Sequence, residues 1–211
     1  SEITSRLQQI PQVASVRYMT HFSCADDLDN PDTREQIEVF NGAVAGVAGE
    51  HSLANSAGLL GWPDTRANWV RPGIMLYGSS PLGGRTAASL GLRPVMTLNT
   101  RLIAVNARKQ GDAIGYGADW RCPSDMLVGV AAIGYGDGYP RHAPSGTALQ
   151  VNGHAASLVG RVSMDMITVD LGAVPNAQVG DEVILWGEGV PVDEVAASAA
   201  TISYELFCGV G

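Results

Sequence analysis

Ala131-Ala132-Ile133-Gly134-Tyr135-Gly136-Asp137-Gly138-Tyr139-Pro140-Arg141 is the stretch from which this 211-residue chain is read. The apolar run Leu127 to Ile133 that leads into it has the length of a buried strand. The run stops at glycines in alternate positions, Gly134, Gly136 and Gly138. Glycine tolerates positive φ and close backbone approach, so the spacing predicts a tight, shaped loop with Tyr135 at its mouth. A tyrosine held in this way can give or take a proton. It can equally be the aromatic cover of a β-hairpin, and the loop alone leaves both readings open.

Working outward, the same texture runs from about Leu92 to the C-terminus. Short β-like runs lie at Val95 to Asn106, Leu127 to Ile133, Ala148 to Val151, Ala155 to Val159, Met166 to Leu171 and Glu182 to Trp186. Gly111-Asp112, Gly180-Asp181 and the hairpin signal Asn152-Gly153 punctuate them. This predicts a mainly β domain, barrel-like in character, with a late helix over Val192 to Ala200. Before Pro81 the grammar differs. Residues 2 to 9 read as the tail of a helix, and Val13 to Phe22 as a strand. Asp32 or Thr33 is placed to cap a helix from Arg34 to about Val44, with Ile37, Phe40 and Val44 on one face. There follow a short segment near His51 to Leu53, a helix from Ser56 to Leu60, and a strand from Gly73 to Tyr77. Alternating strand and helix is the mark of parallel β/α units. Leu82 to Ser89 reads as a linker, which divides the chain into residues 1–88 and 89–211. The first part supplies three strands, fewer than the roughly eight that close a β/α barrel.

Composition narrows the function. A net charge of −8 argues against a nucleic-acid partner and against a polybasic membrane surface. No apolar run approaches the ~20 residues of a membrane-spanning helix, and no secretory signal is read. The cysteines, Cys24, Cys122 and Cys208, are isolated and odd in number. They suggest neither a disulfide framework nor a zinc site, and they read as small buried side chains in a reducing, cytoplasmic compartment. No grouping of His, Cys, Asp and Glu has metal spacing.

Ile133 to Arg141 resembles the loop that carries the catalytic tyrosine of alanine racemases. These are pyridoxal-phosphate enzymes with a β/α barrel and a C-terminal β domain. Four further stretches match that family in the same order. They are Thr20-His21-Phe22, Ala54-Asn55-Ser56-Ala57, Val70-Arg71-Pro72-Gly73-Ile74 with Tyr77-Gly78, and Val159-Gly160-Arg161-Val162-Ser163-Met164-Asp165. The resemblance runs from about Val13 to the C-terminus. It implies a fold of two parts: the C-terminal portion of a β/α barrel, then a mainly β-strand domain.

The resemblance also assigns roles. His21 packs beside the cofactor ring; alone it reads as a satisfied histidine at a strand end. Ser56, with the main chain of Gly73 and Ile74 and the hydroxyl of Tyr204, holds the cofactor phosphate; alone Ser56 reads as an ordinary helix cap. Glycine suits position 73 because a backbone close to a ligand has no room for Cβ. Arg71 faces the pyridine nitrogen; alone it is a surface arginine at a strand start. Most pyridoxal enzymes keep that nitrogen protonated with a carboxylate, whereas a guanidinium is always charged and repels a second positive charge. Tyr135 is one of two catalytic bases, the other being a lysine, and it works on the cofactor of the other subunit, so a homodimer with composite sites is implied. Met164 and Asp165 cross the interface to the substrate carboxylate, although Met164 alone reads as core filler. Asp137 reads as a turn former, and His51, His142 and His154 receive no role.

A pyridoxal enzyme needs a Schiff-base lysine, and Lys109 is the single lysine here, in the polar turn Asn106 to Asp112. The family's lysine motif is not matched. The end, Cys208-Gly209-Val210-Gly211, lacks the family's basic, apolar tail. The sequence therefore reads as a C-terminal part of an alanine racemase, inactive by itself, whose whole interconverts L- and D-alanine for peptidoglycan or for alanine catabolism. The rivals are a non-catalytic dimerising β module, a racemase of broader specificity, and a hydrolase built on Ser56 or a cysteine, which lacks any nucleophile-elbow signature.

Overall fold

The computed structural model describes residues 2–210 and divides into two compact units, Ser1–Leu92 and Arg93–Gly211.

The first unit runs α1 (Glu2–Gln8), β1 (Arg17–Met19), α2 (Asp32–Val44), β2 (Glu50–Ser52) and α3 (Ser56–Gly61), followed by single 3-10 turns at Pro63–Thr65, Ile74–Tyr77 and Ala88–Leu90. β1 and β2 pair in parallel, Arg17 opposite Glu50 and Met19 opposite Ser52, and a parallel bridge from Ser52 to Trp69 marks a third strand position. α2 turns Ile37, Phe40 and Val44 inward, where they meet Phe22, Leu53, Ala57 and Trp62.

Four expectations are corrected in this unit. The strand expected over Val13 to Phe22 narrows to Arg17–Met19, because Phe22 leaves the sheet for the core. Neither Asp32 nor Thr33 caps α2: Pro31, at φ −69°, starts the helix, and the Asn30 side chain accepts from the Asp32 N–H at 3.0 Å. Gly73 to Tyr77 is not a strand. Ile74–Tyr77 is a 3-10 turn between Gly73 and Gly78, since a four-residue apolar run fits either form and no neighbouring strand offers it a ladder. Leu82 is no linker residue: it is buried among Phe22, Ala57 and Trp62, and the Gly83 N–H donates to the Asp26 carbonyl at 3.0 Å.

The second unit is a closed antiparallel barrel. Its strands are β3 (Leu98–Arg108), β6 (Met126–Ala131), β7 (Ala148–Val151), β8 (His154–Leu158), β9 (Ile167–Asp170) and β10 (Glu182–Trp186), in the spatial order β10-β3-β6-β9-β8-β7. β10 pairs with both β3 and β7, which closes the ring and leaves no free edge. Alternation fills the interior: Leu149 and Val151, Ile167 and Val169, and Val183 and Leu185 point inward. Asn152 and Gly153, both at positive φ, make the tight β7–β8 hairpin. A two-stranded ribbon, β4 (Ala113–Ile114) with β5 (Trp120–Arg121), is inserted between β3 and β6, and α4 (Val192–Ser198) and α5 (Ser203–Gly209) pack against the barrel core with Val192, Val195 and Leu206. The ribbon and α5 are additions to the sequence expectation.

Candidate active site

Each unit carries one cluster of the residues singled out above. In the first, the residues gather where β1 and β2 end. The Arg71 guanidinium spans both ends. Its Nη2 donates to the carbonyls of Thr20 (2.8 Å) and Leu53 (3.3 Å), and its Nη1 donates to the Ser52 carbonyl (3.0 Å) and hydroxyl (2.5 Å). Those four acceptors occupy both terminal nitrogens and leave Nε–H for another partner. The Arg71 main chain is fixed too, its N–H donating to the Ala54 carbonyl at 2.8 Å. His21 follows Thr20 directly, so the guanidinium is anchored on the peptide that introduces His21, which is exposed.

Asn55, and not Ser56, caps α3: the Asn55 side chain accepts from the Gly58 N–H at 2.8 Å. That frees the Ser56 hydroxyl, which is buried at 3% exposure. Its oxygen accepts from the N–H of Gly73 at 2.8 Å and of Met75 at 3.4 Å. Ile74 begins the 3-10 turn, whose first N–H groups have no acceptor within the turn. A Cβ built on Gly73 would approach nothing nearer than Ser56 Oγ, at 3.9 Å. The protein itself therefore leaves room at Gly73, and its missing side chain keeps open the space beside the Ser56 hydroxyl. A buried hydroxyl whose own proton remains to be donated, the Ile74 N–H and an open space suit a phosphate, while the Gly73 N–H is already given to Ser56 Oγ. A guanidinium with one N–H to spare suits a single neutral acceptor such as a pyridine nitrogen. The residues present thus fit pyridoxal phosphate.

In the second unit, Tyr135 sits on a 3-10 turn, Tyr135–Asp137, just beyond β6. That turn lies against the loop Ser163–Asp165. The Tyr135 N–H donates to the Ser163 carbonyl at 3.0 Å, and the Gly136 N–H to the Met164 carbonyl at 2.8 Å. A Cβ at Gly134 would come within 2.2 Å of the Met164 carbonyl oxygen, so glycine there is a steric requirement. Asp137 is the turn former expected, its carboxylate accepting from the Gly134 N–H at 2.9 Å. The loop's two tyrosines part company. Tyr139 is buried and stacked on Trp186 with centroids 6.0 Å apart, and burial pushes its phenol up, so it stays neutral. Tyr135 is 38% exposed. Met164 is 55% exposed and no core filler, Asp165 is exposed beside it, and Tyr204 stands exposed on α5.

Two neighbours escaped the sequence reading. The Arg141 guanidinium lies 5.9 Å from the centre of the Tyr135 ring, and Arg161 pairs with Asp119 just before the Met164 loop. Arg141, six residues after Tyr135 on the same loop, offered a signal; the Asp119 pairing offered none.

Lys109 is 81% exposed and paired with Asp125 at 2.7 Å on a hairpin, a contact that holds the Asp125 carboxyl below the ordinary range. Cys122 is buried, and burial pushes its thiol up, which disfavours a nucleophilic role. Cys24 is half-buried and Cys208 exposed, so only one of the three cysteines is the buried side chain expected. Among the described residues no group of His, Cys, Asp and Glu could hold a metal, and no helix is long and apolar enough to cross a membrane.

Comparison with known proteins places these features in context. A family model described as alanine racemase, C-terminal domain, matches residues 95–211, and one described as alanine racemase, N-terminal domain, matches residues 1–81. An alanine racemase of Vibrio parahaemolyticus is 55% identical over 206 residues, which is 97% of this chain and 58% of that protein. One of Aeromonas hydrophila is 57% identical over 188 residues, covering 89% of this chain and 53% of that protein. Among solved structures, the biosynthetic alanine racemase of Pseudomonas aeruginosa superposes with a TM-score of 0.94 at 46% identity, over 100% of this chain and 59% of that one. The alanine racemase of Acinetobacter baumannii does so with a TM-score of 0.90 at 36% identity, again over 100% and 59%. This chain spans 58% of the length of the first of these relatives.

Proposed function

Since this chain belongs to the alanine racemase family, we propose that it carries part of the active site of a pyridoxal-phosphate-dependent racemase that interconverts L- and D-alanine. The observation that carries the cofactor reading is the buried Ser56 hydroxyl, which accepts from Gly73 and Met75 next to an Arg71 already spent on four strand-end acceptors. In the first unit the Ser56 hydroxyl and the Ile74 N–H meet the phosphate, and Gly73, whose N–H is given to Ser56, leaves the room beside them; Tyr204, on α5, is assigned a phosphate contact by the resemblance. His21 packs beside the ring. Arg71 would offer Nε–H to the pyridine nitrogen, and its permanent charge would disfavour protonation of that atom. Pyridoxal phosphate, when bound, draws electrons from the α-carbon and makes its proton labile.

Tyr135 gives or takes that proton at its Oη on one face of the α-carbon. A lysine of the longer enzyme serves the opposite face, as inversion requires two groups on opposite sides. The exposure of Tyr135, Met164 and Asp165 supports a site completed across a homodimer, in which Tyr135 works on the partner's cofactor while Met164 and Asp165 meet the substrate carboxylate. The setting is cytoplasmic, and the product serves peptidoglycan or the reaction serves alanine breakdown. Neither nucleic acid nor membrane takes part.

The chain by itself does not racemise alanine, because Lys109, its single lysine, is tied to Asp125 on an exposed hairpin. Borohydride reduction in the presence of pyridoxal phosphate tests the assignment. Cofactor that binds this chain is expected to wash out after reduction, and Ser56→Ala to weaken its binding. Covalent attachment of the cofactor at Lys109 in a stoichiometric, Ser56-dependent manner would contradict it.

A further inference from the structure

The loop that presents Tyr135 and the helix that carries Tyr204 meet main chain to main chain at one point. Gly138, at φ +92°, closes the Tyr135 turn. A Cβ on Gly138 would fall 2.0 Å from the Gly209 carbonyl oxygen, 2.5 Å from its carbon and 2.9 Å from the Val210 nitrogen. In the other direction, a Cβ on Gly209 would stand 3.1 Å from the Gly138 carbonyl oxygen. The nearest atoms on each side are main chain, so the backbone of either segment resists movement of the other towards it. The remaining faces of the loop are equally committed. Tyr135 and Gly136 donate to the Ser163 and Met164 carbonyls, Gly134 admits no Cβ against that loop, and Tyr139 is stacked on Trp186. α5 in turn is anchored by buried Leu206.

We propose that Gly138 and Gly209 are positioning residues whose main-chain contact locks the Tyr135 loop to α5, so that Tyr135 and Tyr204 keep one fixed relation. The inference rests on the reading of Tyr135 and Tyr204 as site residues. Neither glycine touches substrate or cofactor in this scheme; both act through the tyrosines.

The test uses the 211-residue chain labelled with 3-fluorotyrosine, its six tyrosine resonances assigned by Tyr→Phe variants. Main-chain hydrogen exchange is read on the same samples. Gly209→Ala is the graded variant, since its Cβ asks the Gly138 carbonyl to give by only a few tenths of an ångström. It is expected to shift the Tyr135 resonance and to speed exchange at the Tyr135 and Gly136 N–H groups about tenfold, with Val169 in the barrel unchanged. Ile202→Ala, at the opposite end of α5 and 62% exposed, is expected to leave Tyr135 where it is. A Tyr135 resonance and exchange rate unmoved by Gly209→Ala would overturn the proposal. An equal movement in Ile202→Ala would overturn it too, because it would report general loosening of α5. The catalytic reading is assayed separately with Tyr135→Phe and Tyr204→Phe in an active assembly. If those variants racemise normally while Gly209→Ala still moves Tyr135, the contact stands and the catalytic reading falls.

Discussion

Arg71 Nη2 donates to the main-chain carbonyl of Thr20 at 2.8 Å, across 51 residues of sequence. With the Ser52 and Leu53 contacts, this makes one guanidinium the tie between the ends of two parallel strands. Lysine offers a point charge and cannot reach four acceptors in a fixed fork. Arg71→Lys is therefore expected to destabilise the first unit by about 1–3 kcal/mol. Urea unfolding followed by fluorescence of Trp62, in that unit's core, measures it. An unchanged midpoint would mean that the guanidinium is dispensable to the fold.

Ser56→Ala removes the acceptor of two main-chain N–H groups at a buried position. A loss of about 1–2 kcal/mol of stability is expected. The same variant is expected to weaken pyridoxal phosphate binding about tenfold or more, since a hydrogen bond to a charged group is worth roughly 1.5–3 kcal/mol. Calorimetry reads both effects, and Ser56→Thr, which keeps the hydroxyl, is the control.

Gly134→Ala sets a Cβ against the Ser163 and Met164 carbonyls at 2.3 and 2.2 Å. Backbone on both sides cannot yield locally, so the Tyr135 turn must lift from the Met164 loop. A cost of about 1–3 kcal/mol is expected, together with loss of exchange protection at the Tyr135 and Gly136 N–H groups.

Glu50 joins three strand positions at the surface. Its Oε2 accepts from Arg17 Nε at 2.8 Å and from Trp69 Nε1 at 2.7 Å, and Arg17 lies 4.3 Å over the Trp69 ring. The Arg17 and then the Trp69 hydrogen bonds hold the Glu50 carboxyl below the ordinary glutamate range. A folded-state pKa below the unfolded one means that this contribution is complete above the unfolded pKa and is lost as the pH falls through the folded one. Acid titration of Trp69 fluorescence is expected to show a transition below the ordinary glutamate range that Glu50→Gln abolishes. The surface position keeps the effect small and salt-sensitive.

The barrel strands are legible in the sequence because alternation such as Ile167-Thr168-Val169-Asp170 has a single structural meaning, and Asn152-Gly153 fixes its hairpin. β4 and β5, two residues each, are too short to carry a period, and α5 is a seven-residue helix ending in glycine. Gly73 to Tyr77 misleads because an isolated apolar run does not distinguish strand from turn. Among the candidate site residues, the types and their order can be read as motifs. What holds them cannot. Arg71 is fixed by carbonyls 18 to 51 residues away, and Tyr135 by the main chain of Ser163 and Met164. Main-chain acceptors leave no trace in side-chain identity. Asn55 taking the cap from Ser56 is likewise a matter of local geometry between adjacent polar residues.

The most direct measurement of the central claim is D-alanine formation from L-alanine, with purified chain alone and with the chain co-expressed with the part of the Vibrio parahaemolyticus relative that it does not span. Racemisation is expected only from the pair, and Tyr135→Phe is expected to lower it by about 10²-fold or more. Racemisation by the chain alone, or a pair indifferent to Tyr135→Phe, would contradict the account.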